Sequence, residues 1–330
     1  MRAVRVRELG SFDRASIEEV EDPSPEPGEV VVEVQAVPAN YVDVLTLMGT
    51  YQFKSGLPYT PGKGPAGIVR EVGTGVTEVK VGDRVLAMAE HGGFAEAVAV
   101  DQQQVYQLPE RMSPVEAASM SLAFDTAWMA LRERARLAPG ETVLVLGASG
   151  AVGSAAVQLA HAMGAGKVLA GVSSTERLAS AGIASIADAT VDLSGNQLRE
   201  TIRDEVAAAT DGAGADVIID AVGGDAFDGA IRALAWRGRL VIVGFAAGRI
   251  SSMQTNYVML KNIEVSGLQI SDYRKRMPEL VSEGFGEIFS LFESGEITAP
   301  PHRTLPLDDW SEALRLIETR ESDRRLILLP

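Results

Sequence analysis

The feature that most constrains the fold is an apolar run that leads directly into a glycine-rich turn and then a helix. Residues 142–146 read TVLVL, residues 147–153 read GASGAVG, and helical periodicity follows to residue 163. A run of aliphatic residues without polar alternation is typical of a parallel strand that helices cover on both faces. Gly153 would let the helix pack closely on the strand. This segment therefore predicts one unit of a parallel α/β sheet.

The same alternation of apolar runs and helical patterns continues along the chain. The predicted strands are 142–146, 167–172, 216–221 and 239–245, and the predicted helices are 151–163, 198–209 and 226–236. Strands that alternate with helices in this way indicate a βαβ series. We therefore expect an α/β fold with a doubly wound parallel sheet.

The first third of the chain has a different pattern, with short strands separated by Pro- and Gly-containing turns. The predicted strands are 29–37, 67–72, 82–88 and 94–100. Strands at this spacing are typical of a barrel or sandwich. Ser113-Pro114-Val115-Glu116 then marks the start of a helix, with Ser as N-cap. The tail, with a predicted strand at 263–270, helices at 278–292 and 311–319 and a strand at 325–329, could complete either region.

Charge and composition exclude several classes of function. The formal charge of -15 argues against a nucleic-acid or anionic-membrane partner, because phosphate binding requires clustered Lys and Arg. The chain has no cysteine, which excludes disulfides, thiolate nucleophiles and thiolate zinc sites. No apolar run is long enough for a signal peptide or a transmembrane helix, so we expect a cytoplasmic protein.

The glycine-rich turn also indicates a ligand. It reads Ala148-x-Gly150-x-x-Gly153, which is the dinucleotide-binding fingerprint with Ala at its first glycine. Gly150 would let a pyrophosphate approach the main chain, and the first N–H groups of the helix would face its phosphates. The residues predicted to bind it are Ala148, Ser149, Gly150, Ala151, Val152 and Gly153.

The end of the second strand favours NADP(H) over NAD(H). NAD-binding sheets place a carboxylate about 20 residues after the last glycine to hold the ribose 2′-hydroxyl. Ser173 occupies that position, and Ser174 and Arg177 follow. Small hydroxyls beside a guanidinium suit a 2′-phosphate, although the carboxylate of Glu176 leaves NAD(H) open.

Several blocks in order give the chain a resemblance that covers nearly its whole length. They are Ala39-Asn40-Tyr41-Val42-Asp43, Pro61-Gly62-Lys63-Gly64-Pro65-Ala66-Gly67, Val81-Gly82-Asp83-Arg84-Val85, Thr126-Ala127-Trp128, the 147–153 turn, Asp220-Ala221-Val222-Gly223-Gly224 and Leu260-Lys261-Asn262. The chain resembles the zinc-independent quinone oxidoreductases, the zeta-crystallin-like branch of the medium-chain dehydrogenase/reductase superfamily.

The resemblance implies a GroES-like, β-rich catalytic domain with a Rossmann domain inserted into it. It places the first part of the catalytic domain at 1–121, the NADP-binding domain at 122–265 and the return at 266–330. It also implies a homodimer formed through the edge of the Rossmann sheet. Zinc-dependent relatives carry Cys where Asn40 stands and a His-Glu pair near Lys63 and Gly64, so no metal is expected.

The resemblance further implies the roles of individual residues. Asn40, Asp43 and Tyr51 match the active-site segment and are the predicted catalytic residues. Each could instead have a structural role: a turn for Asn40, a helix cap for Asp43 and a lid aromatic for Tyr51. The remaining predicted cofactor contacts are Thr126, Val222, Gly223, Phe245, Ala246 and Leu268.

The expected activity is zinc-free, NADPH-dependent reduction of a small quinone or α,β-unsaturated carbonyl compound by hydride transfer. An enoyl-thioester reductase of the same fold is a second reading. It would need a basic patch for the CoA phosphates, and Lys54 is the single basic residue between 40 and 60. The chain could also be a non-catalytic NADPH-binding protein or, more remotely, a zinc alcohol dehydrogenase.

Overall fold

The computed structural model describes residues 1–52 and 56–330, so Lys54 lies outside the described residues. The chain packs as two compact units. The first comprises Met1–Leu122, Arg274–Phe285 and Ala299–Pro330, and the second comprises Ala123–Tyr273 and Gly286–Thr298. The domain limits predicted from the sequence stay a prediction, since these units are defined by packing and not by independent folding.

The first unit is built on antiparallel strands. Its strands are β1 (Arg2–Val6), β2 (Ala15–Glu19), β3 (Glu29–Pro38), β4 (Ala66–Val72), β5 (Arg84–Ala87), β6 (Ala97–Asp101) and β7 (Val105–Gln107). β3 is the central strand, because it pairs antiparallel with both β4 and β6. Its valines at positions 30, 32 and 34 are buried in the core of this unit, together with Phe94 and Trp310.

The tail of the chain adds two strands to the sheet that contains β3. Two further strands, numbered here in chain order after those of the second unit, are β14 (His302–Pro306) and β15 (Arg325–Leu329). They give a seven-stranded sheet of order β14-β15-β3-β4-β5-β7, with β6 paired to β3. Ile327 and Leu328 of β15 pair with Pro38 and Val37 of β3. Residues about 290 positions apart therefore meet at the end of β3.

Among the described residues, the helices that begin in the first unit are the two after β3 and β7 and the two in the tail. Their bounds are α1 (Tyr41–Leu47), α2 (Pro114–Met129), α9 (Pro278–Ser294) and α10 (Trp310–Glu318). α1 begins directly after β3, because Asn40 is its N-cap and Asp43 accepts from the Asn40 N–H at 3.0 Å. α2 begins with a similar box, in which the Ser113 N–H and hydroxyl both donate to Glu116.

The second unit holds a parallel sheet. Its strands are β8 (Thr142–Leu146), β9 (Lys167–Val172), β10 (Ala189–Asp192), β11 (Ala215–Asp220), β12 (Leu234–Ile242) and β13 (Glu264–Gly267). Their order is β10-β9-β8-β11-β12-β13, and every pair is parallel. The helices that begin in it are α3 (Ala151–Ala162), α4 (Thr175–Ser180), α5 (Leu198–Ala209), α6 (Gly224–Ala233), α7 (Asn256–Lys261) and α8 (Ile270–Arg276). The doubly wound sheet predicted from the sequence is confirmed.

Several predictions for this sheet are wrong: β10 was not predicted, and the strand predicted at 263–270 is β13, Glu264–Gly267, with Ile270 already in α8. The helix predicted at 226–236 ends at Ala233, and the strand predicted at 239–245 is β12, Leu234–Ile242. Trp236 therefore belongs to a strand. The cause is an irregular start to the strand, where Arg237 has a φ of 64° and the register with β11 shifts. Apolar residues on both sides of this irregularity continue the helical spacing and conceal the change.

Among the described residues, no helix combines the length and the apolar character that crossing a bilayer requires. The cytoplasmic location expected from the sequence stays a prediction.

Candidate active site

The glycine-rich turn joins the end of β8 to the start of α3. Gly147 and Ala148 donate their N–H groups to Gly171 O, at 2.9 and 3.0 Å, which fixes the turn on β9. Gly150 is the N-cap of α3, with extended backbone. The first helical N–H with an acceptor belongs to Ser154, which donates to Gly150 O at 2.8 Å. The N–H groups of residues 151–153 thus start the helix without a helical acceptor, as a bound anion requires.

Two glycines of this turn have different structural constraints. A Cβ at Gly153 would lie 2.1 Å from Gly147 O and 2.7 Å from Gly147 C, so the helix packs on main chain there. A Cβ at Gly150 would meet only Gly147 O, at 3.2 Å. Gly150 is exposed, and Ser149 and Val152 are half-buried. Gly153 is therefore required for packing, whereas the space at Gly150 is open to a ligand.

The residues predicted to select the coenzyme follow β9. Ser173 is exposed and Ser174 is the N-cap of α4, where its hydroxyl accepts from the Arg177 N–H at 3.3 Å. The same hydroxyl donates to Glu176 at 2.6 Å, which lowers the pKa of that carboxyl. The structure thus places the Ser174 hydroxyl between the main chain of Arg177 and the carboxylate of Glu176, with Ser173 directly before them in the chain.

Five further predicted contacts lie after the carboxyl ends of three other strands. Val222 and Gly223 follow β11, Phe245 and Ala246 follow β12, and Leu268 follows β13. Ala246 N–H donates to Ala221 O at 3.1 Å, and Leu268 N–H donates to Ile242 O at 3.0 Å. All of these residues share one edge of the sheet with the glycine-rich turn, and ligands of doubly wound sheets bind at that edge.

A buried carboxylate shapes the turn after β11. Asp220 has no exposed surface, and one of its oxygens accepts from the N–H groups of Val222 at 2.9 Å and Gly223 at 2.8 Å. Burial raises the pKa of Asp220, and these two hydrogen bonds oppose the rise. Gly223 has a φ of 70°, which favours glycine. Sequence reasoning quoted Asp220 in the family pattern but assigned roles only to Val222 and Gly223, so it missed the carboxylate that accepts from their N–H groups.

Thr126 lies on α2 and is buried. Its hydroxyl donates to Asp125 at 3.3 Å, and only 6% of the residue is exposed. Its predicted contact with the nicotinamide side of the coenzyme stays a prediction.

In the first unit, the side chain of Asn40 is held by the protein. Its Oδ1 accepts from Arg325 at 2.9 Å, and its Nδ2 donates to Pro38 O at 3.2 Å and Lys63 O at 3.5 Å. These contacts use both amide hydrogens and one oxygen lone pair. Asn40 therefore ties β15 and the loop after residue 60 to the end of β3, which is a positioning role.

Asp43 has a comparable position. One carboxylate oxygen accepts from the Asn40 N–H at 3.0 Å, and the other accepts from the Gly62 N–H at 3.1 Å. Burial raises its pKa to about 6, while Lys63 and the two main-chain donors oppose the rise. Asp43 thus caps α1, the structural role that the sequence left open, and also anchors the loop that carries Lys63.

Two further groups in this region are perturbed by burial. Burial raises the pKa of the Tyr59 hydroxyl, which lies near Asp43 and has no hydrogen-bond partner among the described residues. Burial lowers the pKa of Arg325 to about 10, and Asp43 opposes the fall. The Arg325 Nε donates to Ser119 O at 3.3 Å. Asp43 and Arg325 therefore form the charged centre of this region.

A second set of charged side chains, formed by Lys63, Glu90 and Arg274, lies in the same unit. The Lys63 ammonium donates to Glu90, whose other oxygen accepts from Arg274 at 2.9 Å. Lys63 is 9% exposed and Arg274 is 2% exposed. The ammonium also lies 6.0 Å from the centre of the half-buried Tyr51 ring. The structure thus brings Tyr51 together with Lys63, which the sequence did not single out as a site residue.

The missed residues differ in how visible they are in the sequence. Lys63 stands between two glycines in a loop of small residues, and a lone charge in such a loop is a usable signal. Glu90 and Arg274 are separated by 184 positions, and no local pattern links them. In residues 1–52 and 56–330, no group of three or more His, Cys, Asp or Glu side chains is arranged to hold a metal ion.

Comparison with known proteins agrees with this geometry. Residues 26–110 match the profile of the alcohol dehydrogenase GroES-like domain, and residues 151–284 match that of the zinc-binding dehydrogenases. A quinone oxidoreductase-like protein 2 homolog from Nematostella vectensis is 36% identical over 99% of this chain and 88% of its own length.

Solved structures give the same result over the whole chain. The Escherichia coli quinone oxidoreductase complexed with NADPH is 27% identical, with a TM-score of 0.89 and full coverage of both chains. CurK enoyl reductase is 25% identical, with a TM-score of 0.87 over 99% of this chain and 98% of its own. The fold is thus a GroES-like domain with a Rossmann sheet.

The chain belongs to the quinone oxidoreductase branch of the medium-chain dehydrogenase/reductase superfamily. The family resemblance inferred from its sequence is therefore confirmed.

Proposed function

We propose that this chain is a metal-free, NADPH-dependent reductase of quinones or α,β-unsaturated carbonyl compounds. The observation that carries the proposal is the turn at 147–153, whose main-chain donors face the carboxyl edge of a parallel sheet. NADPH is present in the solved Escherichia coli quinone oxidoreductase, which this chain resembles over its whole length.

The residues of the turn fit a dinucleotide. Three N–H groups at the start of the twelve-residue α3 suit a pyrophosphate, and the open space at Gly150 allows its approach. Ser173, Ser174 and Arg177 would hold the 2′-phosphate. When bound, NADPH supplies a hydride from its nicotinamide ring.

On the substrate side, this chain's residues would orient the carbonyl compound and stabilise charge. Addition of a hydride to a quinone or enone places negative charge on the carbonyl oxygen, and a buried hydrogen-bond donor lowers the barrier to that step. The Tyr51 hydroxyl is the proposed donor, with water as the second source of the proton. Asn40 and Asp43 act as positioning residues, because their polar atoms are already bonded to the protein.

Metal-free chemistry is supported by the charges present in the first unit. Lys63 lies beside Asp43, and Arg325 donates to Asn40, so cations already occupy the surroundings of this loop. Their positive charges offset the carboxylates of Asp43 and Glu90, so the described side chains of this loop lack the excess negative charge that attracts a divalent metal. Metal analysis of the purified protein tests this point, and stoichiometric zinc that is required for turnover would contradict it.

The main experiment is a turnover screen of quinones and enones with NADPH and with NADH. We expect NADPH oxidation that depends on the carbonyl compound and a clear preference for NADPH over NADH. Tight NADPH binding without turnover of any compound would instead support a non-catalytic NADPH-binding protein.

A second candidate function is reduction of enoyl thioesters, because the solved CurK enoyl reductase shares this fold over nearly the whole chain. Matched substrates separate the two functions. Crotonyl-CoA and a simple enone present the same conjugated carbonyl group, and only the former carries phosphates. A large preference for crotonyl-CoA would favour the second candidate.

We also propose a homodimer formed through the edge of the parallel sheet. β13 is the last strand in the sheet order, and apolar side chains near it are exposed: Trp236 at 68%, Met259 at 71% and Leu260 at 68%. Edge strands with exposed apolar neighbours favour pairing with a second copy. Light scattering on the purified chain tests this, and Leu260→Glu is expected to shift a dimer towards the monomer.

A further inference from the structure

Lys63 is a buried cation with more hydrogen-bond donors than protein acceptors. An ammonium has three N–H bonds. Among the described residues, Glu90 is the one hydrogen-bond acceptor of Lys63, although 9% of the residue is exposed. Burial of donors without acceptors is costly, so two N–H bonds of Lys63 are suited to an additional oxygen.

The main chain around Lys63 is rigidly placed. Gly62 has a φ of 97° and Gly64 a φ of 67°, and a Cβ at Gly62 would lie 2.5 Å from the Phe94 nitrogen. Gly93 N–H donates to Gly62 O at 3.0 Å, and Gly64 N–H donates to Ala89 O at 3.2 Å. The main chain of Lys63 is fixed on both sides and its ammonium is held by Glu90, so the ammonium is preorganised for a reaction.

Lys63 also shares its surroundings with the residues proposed for the active site. Its carbonyl oxygen accepts from the Asn40 amide at 3.5 Å, and its ammonium lies 6.0 Å from the centre of the Tyr51 ring. The pKa of His91 is lowered by partial burial and then by the Lys63 ammonium, while Glu90 opposes the fall. The positive charge of Lys63 therefore shifts the pKa values of other groups in this part of the first unit, namely His91 and Asp43.

We propose that Lys63 is a catalytic residue whose ammonium donates hydrogen bonds to the carbonyl oxygen of the substrate as negative charge develops there. The proposal rests on the proposed reductase function. The substrate carbon accepts the hydride, an electron pair of the conjugated system moves to the oxygen, and the oxygen then takes a proton from Tyr51 or water. NADPH is oxidised in this step, and the carbonyl compound is reduced.

Glu90 and Arg274 are positioning residues in this arrangement. Glu90 accepts from both cations, so it fixes the direction of the Lys63 ammonium while Arg274 shares its charge. The competing role of Lys63 is that of an ion pair that only stabilises the fold. Substitution of Lys63 separates the two, because Glu90 keeps Arg274 as a partner and the carboxylate is not left unpaired.

The first test compares Lys63→Met, Lys63→Arg and the control Lys80→Met, which removes an exposed lysine of the same unit. Loss of one preorganised donor typically costs about 100- to 1,000-fold in kcat. We expect this loss in Lys63→Met with 1,4-benzoquinone, unchanged affinity for NADPH, partial recovery in Lys63→Arg and no change in the control. Unchanged kcat in Lys63→Met would overturn the proposal.

The second test does not depend on turnover. 4-Nitrophenolate carries the negative oxygen that the reaction would develop, and its absorbance reports its ionisation. With oxidised NADP bound, wild-type protein should bind the phenolate and lower its apparent pKa, whereas Lys63→Met should bind it at least about tenfold more weakly. Equal binding by the two proteins would refute the role of Lys63. A wild-type protein that binds the phenolate but reduces no quinone or enone would instead refute the proposed activity.

Discussion

The glycine-rich turn and the charged cluster around Lys63 differ in the groups that they offer to a ligand and in how far apart those groups lie in the sequence. The turn at 147–153 is continuous in sequence, contains no charged residue and offers main-chain N–H groups. The cluster offers side chains, and its members Asn40, Lys63, Glu90 and Arg325 come from separate parts of the chain. One site is therefore a property of a short segment, and the other is a property of the completed fold.

The two sites also differ in the free energy that is needed to bury their polar groups. The donors at the start of α3 would lack helical acceptors in any helix, so presenting them to an anion requires no additional burial of charge. The cluster instead removes several ionic groups from water, and the raised pKa of Asp43 and the lowered pKa of Arg325 record that cost. Perturbed pKa values of this kind are enriched at functional sites.

The largest expected effect concerns ligand approach at the turn. Gly150→Val should weaken NADPH binding about 1,000-fold, or about 4 kcal/mol, because the side chain would occupy the space left for the pyrophosphate. Fluorescence titration measures the affinity, and urea unfolding should show little change in stability. Unaltered affinity would remove the turn from the binding site, and with it the contrast between the two sites.

Substitution of Gly153 is the counterpart of this test, because it should disturb the packing of the helix and lower the stability of the protein. Gly153→Ala would place a Cβ 2.1 Å from Gly147 O, so we expect the free energy of unfolding to fall by about 3 kcal/mol or more. Gly150→Ala is the control, because its Cβ would lie 3.2 Å from the same oxygen. Chemical denaturation followed by circular dichroism compares them, and equal stabilities would contradict the packing role of Gly153.

The charged cluster should give the protein a pH dependence that the turn cannot. The pKa of Asp43 is raised to about 6 in the folded state from 3.8, so the folded state holds this proton more tightly. The corresponding stability is present below about pH 4 and is lost as the pH rises through about 6, up to about 3 kcal/mol in all. Asp43→Asn lacks this titration. The stability of wild type relative to Asp43→Asn should therefore fall between pH 4 and pH 7, and a flat difference would show that Asp43 is not desolvated.

The smallest expected effect concerns the residues proposed to bind the 2′-phosphate of NADPH. Arg177→Ala should weaken NADPH binding about tenfold and leave NADH binding unchanged, because only NADPH carries the 2′-phosphate. Arg203→Ala, which removes a half-buried arginine of α5 that pairs with Asp204, is the control. Equal losses with both coenzymes would remove Arg177 from the 2′-phosphate site.

The contrast between the two sites also explains what the sequence could predict. Aliphatic runs at 142–146 and 167–172 specify buried parallel strands almost by themselves, and the fold class followed from them. The start of β12 could not be predicted in this way, because Leu234 and Trp236 continue the helical spacing of α6. The irregular backbone at Arg237 is visible only in three dimensions.

The candidate site was predictable to the extent that it is local. The turn at 147–153 and the segment of Asn40 and Asp43 each lie within a few residues, so the sequence could single them out as candidates. The partners of Asn40 and Asp43 could not be found in this way, because Gly62 and Arg325 reach them through loops and strand pairing that no short pattern encodes. For the same reason Asn40 and Asp43 were predicted as catalytic residues, although their hydrogen bonds indicate positioning.

The hydrogen bond between Arg325 and Asn40 spans 285 positions and depends on the pairing of β15 with β3. The whole parallel sheet is encoded between these two strands. The parallel strands are therefore synthesised before β15 can pair with β3, and the contact that fixes the Asn40 amide oxygen is supplied by residues that leave the ribosome after all of them.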